Sequence, residues 1–347
     1  MTIAVSVALA LGAIEVLLRL GPAGSNQIEL GDLVQGYFSR LYDYDAHLGW
    51  VPKPYAETTK WGVEVHTGPE GLRLNAGPIP PENTHGQILA VGDSFTFGDA
   101  VGDADTWPAQ LEGLLRGQQD AAPRVLNAGV SSYGLDQSVL RAEGLVPKFQ
   151  PRVLIVGFTT DDIFRAAEYV RHGVFKPYFT LNNGALELQN APPPRPDAPG
   201  PTRSFLLQHS ALVGLLARSP LGAFWIAGTM GDVRADDTVS PDDIAARLIA
   251  RLLALKKNYG FRLILMAQPA AASDRITESG IALLNAVAAT DDDTVAAVDA
   301  FDALLAHSST SEADALLFND PVVGHMSPAG NRLIAATLLP TVMRLLP

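Results

Sequence analysis

Four short polar segments of the sequence contain the residue types that nucleophilic catalysis by a serine requires. They surround Ser94 (GDSFTFG), Gly129 (LNAGVSSYG), Asp161 (VGFTTDDIF) and His325 (DPVVGHMSPAGN). A serine hydroxyl attacks poorly until a base accepts its proton, and an imidazole does this near neutral pH. Backbone N–H groups at loop ends stabilise the oxyanion that forms when a carbonyl is attacked. Together, the four segments predict acyl-transfer chemistry at Ser94.

These segments must be positioned by regular elements, and the sequence predicts strands that alternate with helices. Five apolar runs are typical of strands buried on both faces; they span 87–94, 124–130, 152–158, 261–268 and 295–301. Helical patterns cover about 107–117, about 135–148, about 241–258, and the stretch from Ser327 to about Leu346. The alternation predicts an α/β fold with a mostly parallel sheet between two helical layers. Ligands bind beyond the carboxyl ends of such strands, and all four segments fall in loops at that edge.

The composition limits the classes of function. The chain has 347 residues, with 37 acidic and 25 basic side chains and a formal net charge of -12. This acidic excess opposes nucleic-acid binding, because affinity for phosphate backbones comes from Lys and Arg. The absence of cysteine excludes thiolate catalysis, Cys-ligated zinc and disulfides. The sequence has no phosphate-binding glycine loop and no histidine spacing typical of a metal site, so we expect neither cofactor nor metal.

The first 85 residues divide into two segments. Residues 1–22 contain an apolar run that is interrupted by Glu15 and Arg19. About 18 helical residues span about 27 Å, near the thickness of a bilayer core. We therefore expect a membrane anchor or signal-like helix, the alternative being an apolar helix packed on the domain. Residues 23–85 are rich in Gly, Pro and polar residues, and we expect an extended lead-in that lies on the domain.

Residues 86–347 are predicted to form the domain that carries the four segments. The strand–helix rhythm breaks over about 165–239, which we interpret as an insertion bordering the active site. Within it, 176–190 has Asn and Gly turn residues between two alternating runs and predicts a hairpin. The Pro-rich stretch 191–201 predicts an extended surface loop.

In order and surroundings, the four segments resemble the sequence blocks of the SGNH (GDSL-type) hydrolase family. The resemblance implies that Ser94 is the nucleophile and that His325 is the general base. It implies an oxyanion hole made by the amides of Ser94 and Gly129, with Thr160 or Asp161 nearby. Supporting residues in the same blocks are Asp93, Asn127 and Asp162.

The resemblance covers about 86–165 and 240–347, and it implies a fold as well. The family fold is a three-layer α/β/α sandwich with a flavodoxin-like, mostly parallel sheet. The tripeptides LGW (48–50) and GLR (71–73) resemble the lead-in of membrane-anchored bacterial members. This likeness implies a location on the periplasmic or extracellular face of a bacterial cell envelope.

The sequence departs from the family pattern at two positions. Asp161 replaces an asparagine that donates an N–H to the oxyanion, whereas an ionised aspartate only accepts. Asp161 could be protonated, the hydroxyl of Thr160 could replace the donor, or the chain could be inactive. The family's acid lies three residues before the histidine, where this chain has Val322. Asp320 lies five residues before His325 and could reach it through a bulge, or a backbone carbonyl could orient the imidazole.

These observations predict a serine esterase-like hydrolase of short acyl esters, such as acetyl esters, with a glycan as a candidate carrier. The acyl-enzyme passes its acyl group to water in this reaction. If a sugar hydroxyl replaces water, the same residues give an O-acyltransferase that acts on an envelope or extracellular polysaccharide. A third alternative, motivated by Asp161, is an inactive binding or assembly module with the same fold.

Overall fold

The residues that the computed structural model describes are 2–20, 41–75, 77, 87–118, 122–171, 174–194, 210–217, 233–234, 239–270, 276–305, 318 and 324–346. Helix α1 spans Thr2–Leu20. Its Glu15 accepts hydrogen bonds from the backbone N–H groups of Ala211 and Leu212, at 2.8 and 2.9 Å. Among the described residues, no helix combines the length and the apolar character that crossing a membrane requires. The membrane anchor predicted for residues 1–22 therefore finds no support in the structure.

The described part of the lead-in forms two antiparallel hairpins rather than an extended segment. Strands β1 (Tyr42–Asp45) and β2 (Gly49–Pro52) make the first hairpin, and β3 (Glu57–Lys60) and β4 (Val63–His66) make the second. Both hairpins, and Leu72 after them, supply apolar side chains to the main core, and those that are 1% exposed or less are Trp50, Val65 and Leu72. The lead-in is therefore packed into the domain as part of its core.

A five-stranded parallel sheet forms the centre of the domain. Its strands are β5 (Ile88–Val91), β6 (Val125–Asn127), β7 (Val153–Phe158), β13 (Arg262–Ala267) and β14 (Val295–Asp299), and their spatial order is β14-β13-β7-β5-β6. All five lie within the predicted strand runs. Every residue of β5, β6 and β7 is buried, as expected for strands covered on both faces. The predicted α/β fold with a mostly parallel sheet is confirmed.

Helices cover both faces of this sheet. The described helices after α1 are α2 (Ser94–Phe97), α3 (Trp107–Arg116), α4 (Leu135–Phe149), α5 (Thr160–Arg165), α6 (Ala211–Ala217), α7 (Pro241–Tyr259), α8 (Glu278–Ala288), α9 (Phe301–Leu305) and α10 (Pro328–Leu345). The sequence did not predict α8, whose N-cap Thr277 accepts a hydrogen bond from the N–H of Gly280. The helices predicted near 107, 135, 241 and 328 are confirmed.

Alternating strand residues separate the core into two clusters, which gives the three layers. Leu89 and Leu154 point towards the face covered by α4, α7 and α8. Their neighbours Ile88 and Ile155 point towards the opposite face, covered by α3 and α10. Successive side chains of a strand point to opposite faces, so one apolar run supplies both clusters. The predicted α/β/α sandwich is the observed architecture.

The described parts of the insertion are mainly strands. The predicted hairpin is present: β10 (Tyr178–Asn182) pairs with β11 (Ala185–Gln189), and Asn183 and Gly184 between them have positive φ. A separate three-stranded sheet contains β8 (Glu168–Arg171), β9 (Val174–Phe175) and β12 (Val233–Arg234). Most of the Pro-rich stretch 191–201 lies outside the described residues.

Candidate active site

Ser94 lies just beyond the carboxyl end of strand β5, where the chain turns sharply into α2. Gly92 makes this turn possible, because a Cβ there would lie 2.3 Å from Thr96 Oγ1 and 2.6 Å from the carbonyl of Gly157. Asp93 is the N-cap of α2, and its carboxylate accepts a hydrogen bond from the N–H of Phe95 at 2.9 Å. Ser94 is the first residue of α2, so its own N–H has no acceptor inside the helix.

The imidazole of His325 contacts the hydroxyl of Ser94. The distance from His325 Nε2 to Ser94 Oγ is 2.9 Å, although 231 residues separate the two in sequence. The imidazole also stacks on Phe95, with ring centroids 4.9 Å apart and an interplanar angle of 30°. This is the geometry required of a serine nucleophile and its general base.

The segment after His325 is fixed by hydrogen bonds at the start of α10. Ser327 is the N-cap, and its hydroxyl accepts from the N–H of Gly330 at 3.2 Å. The side chain of Asn331 donates to the carbonyls of Met326 and Ser327, at 3.2 and 3.0 Å. Asn331 also accepts from the N–H of Trp107 at 2.8 Å, which ties α10 to α3. Asp320, the predicted partner of His325, lies outside the described residues.

The loop after β6 packs directly against α2. A Cβ on Gly129 would lie 2.2 Å from the backbone nitrogen of Phe97, so only glycine fits there. The N–H of Gly129, predicted as an oxyanion donor, donates to Asn127 Oδ1 at 3.1 Å. Asn127 also donates to the carbonyl of Phe97 at 3.3 Å. Asn127 therefore orders the loop, and its Oδ1 accepts the Gly129 N–H that was predicted to donate to the oxyanion.

The loop after β7 places its two aspartates in different environments. Asp162 is buried, and its carboxylate accepts from the N–H of Thr159 at 2.8 Å and from Arg165 at 2.7 Å. This geometry is that of a loop-ordering acceptor. The side chain of Asp161 is 70% exposed and lies 3.6 Å from Arg165. Thr160, the other candidate donor, is the half-buried first residue of α5.

Arg165 joins the first and third blocks through two buried carboxyl groups. Its Nη1 lies 2.7 Å from Asp162 and 3.4 Å from Asp93. Burial raises the pKa of Asp93, although the charge of Arg165 opposes the shift. Burial and the nearby Asp93 carboxylate raise the pKa of Asp162 well above its ordinary value. A single guanidinium thus contacts two buried carboxyl groups, and the pKa of each is raised.

Two residues of the lead-in tripeptides hold the loops of the site. Arg73 is 1% exposed and donates to the carbonyls of Phe97, Gly98 and Val101, just after the nucleophile helix. Trp50 donates from Nε1 to the carbonyl of Ser131 at 3.2 Å, in the loop after β6. In the sequence, these two residues stood out only because LGW and GLR resemble tripeptides of family members. That resemblance did not indicate which loops Trp50 and Arg73 contact.

Sequence reasoning missed a buried ion pair beside the two catalytic candidates. Lys60 of β3 donates to both carboxylate oxygens of Asp99, at 2.8 and 3.0 Å. The carboxylate of Asp99 lies 4.0 Å from His325 Nε2. Among the described residues, no group of three or more His, Asp or Glu side chains is arranged to hold a metal ion.

Comparisons with known proteins give only distant structural matches. No family model matches the chain, and no curated protein matches it. Similar solved structures include TesA, which is 14% identical, with 75% of this chain and 99% of that chain covered and a TM-score of 0.42. Axe2, an acetylxylan esterase from Geobacillus stearothermophilus, is 16% identical over 75% of this chain and 96% of that chain, with a TM-score of 0.43. A lipolytic protein of the G-D-S-L family from Veillonella parvula is 12% identical over 75% of this chain and 99% of that chain, with a TM-score of 0.40. Matches this distant carry no argument about function, which has to come from the geometry of the site.

Proposed function

We propose that the protein is a serine esterase of the SGNH type, which hydrolyses esters of short acyl groups. One observation carries the proposal: His325 Nε2 lies 2.9 Å from Ser94 Oγ at the carboxyl edge of the parallel sheet. Ligands of open α/β sheets bind at this edge. The four-block sequence resemblance supports the same conclusion independently, and it implies acetyl as the acyl group.

The reaction proceeds through an acyl-enzyme. Ser94 Oγ attacks the ester carbonyl while His325 Nε2 accepts the hydroxyl proton. The C–O bond to the leaving alcohol then breaks, and His325 returns the proton to that alcohol. Water attacks the acyl-enzyme in the same way, with His325 again as base and then as acid. The products are the carboxylic acid, the alcohol and the free enzyme.

The oxyanion requires donors, and the N–H of Ser94 is the first that we assign. It lies at the start of α2 without an acceptor in the helix. The N–H of Gly129 becomes a second donor when it leaves Asn127 Oδ1 for the oxyanion. Thr160 supplies a hydroxyl from the third block, because an ionised Asp161 would repel the developing charge. We retain Asp320 as the residue that orients His325.

Hydrolysis of 4-nitrophenyl acetate between pH 6 and 9 tests the proposal. We expect Ser94→Ala and His325→Gln each to lower kcat by about 10³-fold or more, because nucleophile and base act as one unit. His47→Gln, which changes an exposed histidine in the first hairpin, is the matched control and should keep full activity. Activity that survives Ser94→Ala would overturn the proposal. A folded wild-type protein that hydrolyses no ester would indicate the inactive binding module.

The acyl acceptor is tested in the same assay. We propose water as the acceptor, and an O-acyltransferase would reveal itself by transferring acetyl to an added polysaccharide faster than to water. Product analysis by mass spectrometry separates free acetate from acetylated glycan. A location on the outer side of the cytoplasmic membrane is likewise our proposal from the family resemblance. Fractionation of cells that express the full chain tests it.

A further inference from the structure

Four polar side chains form a buried cluster between the lead-in and the nucleophile helix. Lys60 Nζ donates to Asp99, to Ser131 Oγ at 2.6 Å and to the hydroxyl of Tyr42 at 3.2 Å. Ser131 Oγ donates to Asp99 at 3.0 Å, and the Tyr42 hydroxyl donates to Ser131 at 2.9 Å. Lys60 is 13% exposed and Asp99 is 4% exposed. The proposed ester hydrolysis does not use any of these groups.

Asp99 is rigidly connected to the nucleophile. Its backbone N–H donates to the carbonyl of Ser94 at 3.0 Å, because the chain turns back at Gly98 directly after α2. Gly98 has a φ of 88°, and a Cβ there would lie 2.4 Å from Thr106. This turn brings the carboxylate of Asp99 to 4.0 Å from His325 Nε2, the same nitrogen that contacts Ser94.

The charges of the cluster are fixed by the ion pair. Burial alone would raise the pKa of Asp99, but the positive charges of Lys60 and His325 lower it below its ordinary value. Burial alone would lower the pKa of Lys60, but the charge of Asp99 raises it. A protonated lysine cannot serve as a base, so its contact with Ser131 is not a second nucleophilic dyad. Asp99 is therefore an ionised carboxylate beside the imidazole.

A second buried carboxyl group near His325 differs from Asp99 in the direction of its pKa shift. Asp93 lies on the other side of Ser94 and shares Arg165 with Asp162. Burial raises the pKa of Asp93, whereas the pKa of Asp99 is lowered. Of the two carboxyl groups, the one whose ionised form is favoured by its surroundings is thus the one held by Lys60.

We propose that Asp99 is a positioning residue that stabilises the protonated imidazole of His325 while Ser94 attacks, and that Lys60 holds Asp99 for this task. The inference rests on the proposed esterase function and deepens it. It makes hairpin β3–β4 of the lead-in a part of the catalytic apparatus. When His325 accepts the Ser94 proton, the new positive charge lies within 4.0 Å of a fixed carboxylate. A preorganised charge of this kind favours the transition state without reorganisation.

Asp99→Asn tests the proposal, because asparagine keeps the shape and loses the charge. We expect kcat for 4-nitrophenyl acetate to fall about 10- to 100-fold with little change in KM, since the lost interaction forms in the transition state. We also expect the acid limb of the kcat/KM profile to move to lower pH, because the imidazolium loses an attractive neighbour. Asp136→Asn, in a buried pair with Lys176, is the matched control and should leave the acid limb in place.

The double variant Lys60→Met/Asp99→Asn separates catalysis from packing. It removes both charges together, so no unpaired charge remains buried. If Asp99 acts on His325, this variant is as stable as Asp99→Asn or more so, and it remains as slow. Full recovery of activity in the double variant would overturn the inference, because the single variant would then have failed only through an unpaired lysine.

The outcomes distinguish this inference from the proposed function. If the wild-type protein is active and Asp99→Asn leaves the acid limb of the kcat/KM profile in place, the role of Asp99 is overturned and the proposed function is not. A wild-type protein without esterase activity would overturn the proposed function and this inference with it.

Discussion

The two ends of the nucleophile helix each carry a buried aspartate, and the two are held in opposite ways. At the N-terminal end, Asp93 shares the guanidinium of Arg165 with Asp162, and burial raises its pKa. At the C-terminal end, Asp99 has Lys60 to itself, and its pKa is lowered. Burial is nearly the same for both, so it does not decide the direction in which the pKa shifts. The difference lies in the number of buried carboxyl groups that each cation contacts.

This difference gives the two ends different roles around Ser94. The N-terminal cluster ties the first block to the third block, and it does so through the shared guanidinium of Arg165. The C-terminal cluster ties the first block to the lead-in and presents a full negative charge near His325. The first arrangement stabilises the loops, and the second acts on the chemistry.

Removal of Arg165 should have the largest effect on stability. Arg165→Met leaves two buried carboxyl groups without a cation, and breaking a buried ion pair in this way costs about 3–5 kcal/mol. Urea unfolding at pH 7 measures the change. Arg247→Met, at an exposed pair with Asp243, is the matched control and should cost less than about 1 kcal/mol. If Arg165→Met and Arg247→Met lose the same amount of unfolding free energy, Arg165 stabilises the protein no more than an exposed ion pair does, which would contradict our account of the N-terminal end.

Removal of Lys60 should cost somewhat less, about 3 kcal/mol, because it leaves one buried carboxyl group without a cation where removal of Arg165 leaves two. Lys60→Met leaves the carboxylate of Asp99 buried without its cation. The same urea experiment measures the loss of unfolding free energy. Adding Asp99→Asn to this variant should restore most of the loss, because the uncompensated charge is then absent. A double variant that is no more stable than Lys60→Met would show that Lys60 acts through its packing alone.

The pH dependence of stability should differ in sign between the two ends. A raised folded-state pKa contributes stability at low pH that is lost as pH rises, and this is the case of Asp162. Asp162→Asn should therefore flatten the decline of unfolding free energy above about pH 4.

A lowered folded-state pKa contributes stability above the unfolded value that is lost as pH falls, and this is the case of Asp99. Asp99→Asn should flatten the acid-side loss below about pH 4. Each pKa unit corresponds to about 1.4 kcal/mol. Unfolding curves of both variants across pH 3 to 8 measure the two slopes. If the two slopes change in the same direction, the opposite pKa shifts of Asp162 and Asp99 are contradicted.

The smallest effect is expected at Asp161, the exposed third carboxylate near Arg165. Asp161→Asn should change the unfolding free energy by less than about 1 kcal/mol, since an exposed ion pair contributes little. Thermal unfolding of Asp161→Asn and Asp162→Asn, measured under the same conditions, compares the two losses of stability. A loss at Asp161 as large as that at Asp162 would show that exposure is a poor guide to these carboxylates.

Much of the fold could be predicted because its signals are local. The continuous apolar runs identify the five strands, since the central strands are buried on both faces. The turn residues Asn183 and Gly184 identify the hairpin of the insertion. The meeting of Ser94 and His325 followed from a general rule, that loops at the carboxyl ends of parallel strands share one edge.

The lead-in and its role could not be predicted in the same way. Lys60 and Asp99 are 39 residues apart, and no local pattern links them. Lys60 lies in a strand whose exposure alternates, so its sequence is that of an ordinary solvent-facing hairpin. Only the packing of that hairpin on α2 turns a surface-type lysine into a buried cation. Asp161 likewise lies 3.6 Å from Arg165, which is one helical turn away and outside the block that contains Asp161.

Covalent labelling by a fluorophosphonate probe tests the central claim most directly, because such probes react with a serine only when a base activates it. Mass spectrometry of the labelled protein locates the adduct. The account predicts an adduct on Ser94 that is absent from Ser94→Ala and forms far more slowly in His325→Gln. A folded wild-type protein with no adduct, or with one on another residue, would contradict it.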